Sequence, residues 1–279
     1  DYAVTGVQTC ALPIYKKVVT GGNNTKFGID IDLIPEIKKI AKEANIRISG
    51  INHHIGSLFM EPEYYVKSAE NLLEVAAGFK DLEFIDFGGG FGIPYKKQEG
   101  QQRLNINALG ERLTMLINEW TQQNGIYPAF MVEPGRYIAA ESGLILGTVN
   151  STKVSHGKKY IGTDIGFNVL ARPVMYGSHH DIEIYREGRL IKDDIYSKVT
   201  VVGNICESGD IIAEDRELPH TQEGDIIGIM DAGAYGYSMS SNYNCRLQPA
   251  EVLIDLNGKD TLIRKRDSLE DIFSGFNIK

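Results

Sequence analysis

The sequence predicts an α/β fold of the β/α-barrel kind, incomplete on its N-terminal side, followed by an all-β C-terminal domain. Three observations predict it. Amphipathic helical stretches alternate with short β-branched runs up to about residue 140. Beyond that point helical periodicity fades, and short β-like runs follow one another between turn residues. Polar or glycine-rich residues come directly after the strands of the first half, the position of active-site loops in β/α barrels.

IDLIPEIKKIAKEAN (31–45) places Leu33, Ile34, Ile37, Ile40 and Ala41 at helical spacing, with Pro35 in the first turn, where its missing N–H does no harm. IRISGINHH (46–54) is a β-branched run and reads as a strand. A second helix covers 61–79, a short buried strand 82–88, a third helix 107–125 stopped by Gly125, and another strand 127–135. After residue 140 the β-like runs are LILGTVN, KKYIGTD, DIEIYRE, SKVTVVGNIC, DIIGIM, AEVLIDL and DTLIRKR, separated by Gly157, Gly188, Gly209, Gly224 and Gly258. Three helices are too few for a closed (β/α)₈ barrel, which needs roughly 250 residues. The expected organisation is therefore a partial barrel over residues 15–140 and a β domain over 141–279. Residues 1–14 fit neither half and read as a non-native segment.

The chain has 279 residues, of which 42% are hydrophobic and 24% charged, enough to bury a real core. A formal net charge of −8 argues against a general nucleic-acid or anionic-membrane binder, because both need a basic face. Three cysteines, Cys10, Cys206 and Cys245, make neither a disulfide framework nor a metal site by spacing. No apolar run approaches the roughly 18 residues of a membrane span. The sparse cysteines make a reduced, cytoplasmic setting the expectation, and the first fifteen residues lack the basic start and long apolar stretch of a signal peptide.

Several motifs carry chemistry, and each has a plainer reading. His54 and Ser57 follow a strand; a ring there stacks on a flat cofactor and a hydroxyl donates to a phosphate, or both are ordinary polar residues of a loop. Gly88, Gly89, Gly90 and Gly92 let the backbone approach a phosphate, or they make a tight turn; the spacing is neither the dinucleotide fingerprint nor a P-loop. Glu133 and Arg136 offer a carboxylate for a pyridine nitrogen and a bidentate anion donor, or a surface ion pair. Arg172 beside Tyr176 grips a carboxylate or is a solvated loop residue. Cys206 beside Glu207 is a proton donor or a buried thiol. The stretch from Asp231 to Tyr237, with Ser241 to Asn244, lines a site or is an aromatic β turn.

In this order, HHIGS (53–57), GGGFG (88–92), EPGR (133–136), ARPVMY (171–176), CESGD (206–210), DAGAY (231–235), and SSNYN (240–244) with PAEVL (249–253) resemble the fold-type III, alanine-racemase-like decarboxylases that use pyridoxal phosphate, and among them the diaminopimelate branch. The resemblance runs from about Tyr15 to the C-terminus. It implies a homodimer with active sites at its interface, a small amino-acid substrate, and decarboxylation of meso-diaminopimelate to L-lysine. It implies that His54 stacks on the pyridine ring, and that Ser57, Gly88, Gly89, Gly90, Arg136 and Tyr235 surround the phosphate. Glu133 would pair with the pyridine nitrogen. Arg136, Arg172, Tyr176 and Tyr235 would contact substrate, and Glu207 its distal ammonium. Cys206, from the partner subunit, would donate the proton. The family's Schiff-base lysine lies in a Tyr-Ala-x-Lys-type segment; here Tyr2-Ala3-Val4 is followed by Thr5. The resemblance therefore implies an N-terminally truncated chain that lacks that lysine and is inactive as given. Alternatives are a related decarboxylase of carboxynorspermidine, ornithine or arginine, from which the glutamate of CESGD argues away, and a non-catalytic homologue, from which the Cys206–Glu207 pair argues away.

Overall fold

Parallel pairing in the first half follows from its strand–helix alternation, because two parallel strands can be joined only by a crossover. The computed structural model of the chain describes residues 2–5, 26–54, 56–192 and 195–277. These divide into two compact units, residues 1–138 and 139–279.

The first unit runs β1 (Tyr2–Thr5), α1 (Ile34–Glu43), β2 (Ile48–Asn52), α2 (Pro62–Ala76), β3 (Phe84–Asp86), α3 (Ile106–Asn124), β4 (Ala129–Met131) and the start of α4 (Gly135–Ala139). The four strands form one sheet in the order β1-β2-β3-β4, and every pairing is parallel. Asn52 lies opposite Asp86, and Asp86 opposite Met131, so the carboxyl ends of β2, β3 and β4 stand level. Tyr2–Thr5 falls in the stretch read from the sequence as non-native; in the structure it pairs with β2, with Thr5 opposite Asn52. Residues 6–14, with Cys10, lie outside the described residues.

Helix α2 packs Tyr65, Val66, Ala69, Leu72, Leu73 and Ala76 onto Ile51, Ile85 and Phe87 of the sheet side. Trp120 of α3 joins this core, and its indole N–H donates to the Leu73 carbonyl at 2.8 Å. Asn105 caps α3 by accepting from the Ala108 N–H, and Gly125 ends it at φ 67°, a left-handed position that suits glycine. Helix α1 has the amphipathic pattern but buries no residue fully; Ile34 packs against the core, Ile37 and Ala41 are half-buried, and Leu33 and Ile40 stay 45% and 49% exposed.

The second unit contains β5 (Ile145–Ser155), β6 (Lys158–Thr163), α5 (Arg172–Tyr176), β7 (Ile182–Arg186), β8 (Arg189–Leu190), β9 (Tyr196–Val202), β10 (Ile211–Pro219), β11 (Ile226–Ile229), β12 (Glu251–Ile254), β13 (Asp260–Arg264) and α6 (Leu269–Phe273). Seven strands form a sheet in the order β10-β9-β6-β5-β11-β7-β8, antiparallel except where β6 meets β9. The expected all-β domain is thus a mixed sheet accompanied by two short helices, α5 and α6, that the sequence pattern did not reveal. Five-residue helices are too short to show a 3.6 period.

Two of the turn glycines read from sequence close two-residue hairpins. His156-Gly157 joins β5 to β6 and Glu187-Gly188 joins β7 to β8, with both residues of each turn at positive φ. Strand β10 is absent from the sequence reading. Its run Glu214-Asp215-Arg216-Glu217 lacks apolar alternation, and its register shifts twice around Asp215, which sits at φ 49°. The core of this unit is Val149, Ile161, Ile184, Val201, Ile212, Ile227 and their neighbours.

Replacing Ile227, which is completely buried, by alanine is expected to cost about 2–5 kcal/mol. Val154→Ala on exposed β5 should stay within about 0.5 kcal/mol. Urea unfolding of the two variants checks this; equal losses would place the core elsewhere.

Candidate active site

In the first unit the level strand ends bring three loops into register. After β2 comes His53-His54, after β3 comes Gly88 to Gly90, and after β4 comes Glu133. The loops hold one another through backbone bonds: His53 N–H to Asp86 O at 3.2 Å, Phe87 N–H to Met131 O at 2.9 Å, and Glu133 N–H to Gly88 O at 3.0 Å. The glycines are required by this packing. A Cβ on Gly88, which sits at φ 71°, would stand 2.0 Å from the His53 carbonyl oxygen. One on Gly89 would stand 2.6 Å from Glu133 O and 3.4 Å from His54 Cε1, and one on Gly90 would stand 2.5 Å from Gly56 O. His54, Gly89 and Glu133 therefore meet at one point of the sheet edge.

The two histidines differ. His53 is buried, contacts Ser68 Oγ through Nε2 at 3.1 Å, and is pushed down to about 4, chiefly by burial, so its ring is neutral. His54 is only half-buried; burial lowers it too, while the nearby Asp86 charge opposes the shift. The Gly89 N–H points at His54 Nδ1 at 3.4 Å, which makes that nitrogen the acceptor.

Asp86 was not singled out by sequence reasoning as a site residue, yet it organises this corner. Its Oδ1 accepts the Gly88 N–H at 2.8 Å, and its carboxylate faces Glu133. Glu133 is raised above the usual carboxylate range by partial desolvation first, then by the Asp86 charge and hydrogen bond. Arg136, at the start of α4, donates from Nη1 to Tyr95 Oη at 3.0 Å and lies over that ring. Ser57 is half-buried in the loop after β2, two residues before Phe59, whose N–H donates to Gly90 O at 2.9 Å. Ile55 lies outside the described residues.

The second unit holds the remaining predicted residues. Arg172 opens α5 and is buried, with its guanidinium carbon 6.0 Å from the centre of the Tyr235 ring. Tyr176 is half-buried in the last turn of the same helix. Tyr235 is 43% exposed and sits at φ 65°; the preceding Gly233 admits no side chain, since a Cβ would meet Ala139 O at 2.1 Å. Cys206 is a free, exposed thiol, which rules out the buried-core reading of it. Glu207 accepts from the Tyr243 hydroxyl at 2.5 Å, and that bond raises the tyrosine.

The Cys206–Glu207 loop is built on a buried carboxylate that sequence reasoning also missed. Asp210 accepts the Phe167 N–H on one oxygen and the Ile205 N–H on the other, both at 2.7 Å. Its only sequence signal is its place at the end of CESGD. Among the described residues no group of His, Cys, Asp and Glu side chains could hold a metal ion, and no helix is long and apolar enough to cross a membrane.

Asp86→Asn keeps an oxygen for the Gly88 N–H and removes the charge. Glu133 loses its like-charged neighbour and should titrate lower; His54 loses the charge that was raising it and should also titrate lower. NMR titration without added cofactor reads both, and an unmoved Glu133 would mean that burial alone sets it. Asp210→Asn must turn an amide N–H toward one of two backbone N–H groups, at an expected cost of about 1–3 kcal/mol in stability. A thermal or urea unfolding curve identical to the parent's would refute that role.

Residues 50–233 match the family model described as pyridoxal-dependent decarboxylase, C-terminal sheet domain. The chain is 41% identical over 270 residues to the diaminopimelate decarboxylase of Methanothermobacter thermautotrophicus, covering 95% of this chain and 61% of that protein. A crystal structure of a diaminopimelate decarboxylase superposes with a TM-score of 0.84 at 33% identity, covering 92% of this chain and 62% of the other. The Helicobacter pylori diaminopimelate decarboxylase complexed with L-lysine gives 0.80 at 30% identity, covering 93% and 62%. The chain thus spans about three fifths of the length of these relatives. By its motifs, its two units and these matches, the chain belongs to the pyridoxal-dependent decarboxylase family.

Proposed function

We propose that this chain is part of a pyridoxal-phosphate-dependent enzyme that decarboxylates meso-diaminopimelate to L-lysine. The observation that carries the reading is the meeting of His54, Gly89 and Glu133 at the level ends of three parallel strands. That corner fits a phosphorylated pyridine: a flat ring, a glycine backbone with no side chain in the way, and a carboxylate. The relatives' names support the substrate, as does the lysine complex of one of them. In this reading β1–β4 and their helices form one arc of a β/α barrel.

The residues divide the work by charge. His54 would hold the pyridine ring by stacking on it. Ser57, Arg136 and the backbone of Gly88, Gly89 and Gly90 would hold the phosphate, since N–H groups and a guanidinium favour an anion. Glu133 holds a proton at the ring nitrogen. When bound, pyridoxal phosphate supplies a sink for the electron pair left by departing carbon dioxide. Arg172 and Tyr176 bind a substrate carboxylate. Glu207, held by Tyr243, receives the distal ammonium group. Cys206, exposed in this chain, delivers a proton to the site of a partner subunit in a homodimer of the cytoplasm. That assembly follows the symmetric pairing common to soluble enzymes.

The test assays the whole gene product with added pyridoxal phosphate for release of L-lysine from meso-diaminopimelate, beside ornithine, arginine and carboxynorspermidine. Preference for meso-diaminopimelate, and a loss of 10²-fold or more in kcat for Glu133→Ala, about that of removing one key electrostatic group, are expected. Faster turnover of another amino acid would displace the substrate assignment.

A further inference from the structure

Arg172 is held by a residue that has no part in the site so far. His180 lies between α5 and β7, and both it and Arg172 are buried, at 2% and 3% exposure. Arg172 Nη1 is 2.9 Å from His180 Nε2, and His180 Nδ1 is 2.8 Å from the Met230 carbonyl oxygen. These partners fix the tautomer. A carbonyl oxygen only accepts, so Nδ1 carries the proton; a guanidinium only donates, so Nε2 is bare. A second proton on the ring would set N–H against N–H.

The surroundings enforce the same state. Burial drives His180 down to about 3, the bond to Met230 opposes that shift, and the charges of Arg172, His179 and Arg216 add to it. The ring is also mechanically anchored. Its neighbour Asp181 accepts the Met230 N–H at 2.9 Å, which continues the β7–β11 ladder by one step. On its other side His179 Nε2 lies 3.0 Å from Asp181 Oδ1 and 2.6 Å from Arg216 Nη1 of β10. His180 thus stands on the end of the sheet and reaches the first residue of α5.

We infer that His180, bridging the Met230 carbonyl and the Arg172 guanidinium, is a positioning residue that fixes the direction in which Arg172 presents itself to a substrate carboxylate. The inference rests on the reading of Arg172 as a carboxylate-binding group. A guanidinium on a four-bond stem has many rotamers, and holding one N–H on a sheet-anchored ring selects among them. The imidazole does this without adding a charge of its own. The sequence reading passed over the residue because HHD (179–181) carries no recognisable spacing.

The test measures binding of two ligands to the whole gene product loaded with pyridoxal phosphate, by calorimetry. L-Lysine keeps the carboxylate that remains after decarboxylation; 1,5-diaminopentane lacks it. The variants are Arg172→Lys, His180→Asn and His180→Gln. Asparagine can still donate to Met230 O but is too short to reach Arg172, whereas the glutamine amide oxygen can accept from it. Arg172→Lys and His180→Asn should each weaken L-lysine about tenfold or more, the size of a lost charged hydrogen bond, and leave 1,5-diaminopentane unchanged. His180→Gln should recover most of the L-lysine affinity. If Arg172→Lys loses L-lysine selectively while His180→Asn does not, or weakens both ligands alike, the positioning role is wrong and the carboxylate reading stands. If Arg172→Lys leaves L-lysine untouched, the carboxylate reading itself falls.

Discussion

The candidate site depends on how closely the loop after β3 approaches the loops after β2 and β4. No side chain can stand between them: Cβ atoms at Gly88, Gly89 and Gly90 would each lie within 2.6 Å of a carbonyl oxygen of a neighbouring loop. Such contacts leave no room for adjustment, because a buried carbonyl is rigid and already hydrogen-bonded. The glycine run therefore serves the fold before it serves a ligand. By pulling the loops together it sets His54 beside Gly89 and Glu133 beside Asp86. Glu133 is raised by partial desolvation first and then by the Asp86 charge that this proximity brings to it.

The sequence made the first unit legible in outline because short β-branched strands and amphipathic helices have distinct periods. α2, α3 and the strands between them fall where apolar spacing puts them. The same signal finds α1, whose stripe is only partly covered among the described residues. In the second unit, β10 escaped because two irregularities and a charged run erase its alternation. Long-range pairing decides that strand, and no local pattern can show it. The parallel pairing of β6 with β9 was hidden for the same reason.

Candidate residues stood out in the sequence where a reactive side chain adjoins a regular element, as with His54, Glu133 and Arg172. The supporting residues were not. Asp86, Asp210 and His180 act through contacts with residues from other parts of the chain, 43 positions away between Asp210 and Phe167 and 50 between His180 and Met230. Each is an ordinary polar residue in sequence. Only its burial and its backbone partners distinguish it, and both are properties of the folded chain.

Neither unit places its chemistry by side chains alone. In the first, backbone register brings the candidate residues together at the strand ends. In the second, the functional residues lie on loops and a five-residue helix, so polar groups buried beneath them must supply the rigidity. A buried carboxylate is costly unless hydrogen-bonded, and each oxygen of Asp210 accepts a backbone N–H. A buried histidine is costly if charged, and His180 is kept neutral with both nitrogens engaged. The same constraint thus explains both choices. Where regular structure cannot hold a reactive side chain, a fully hydrogen-bonded buried polar group holds it, and its identity is set by the donors and acceptors the backbone leaves around it.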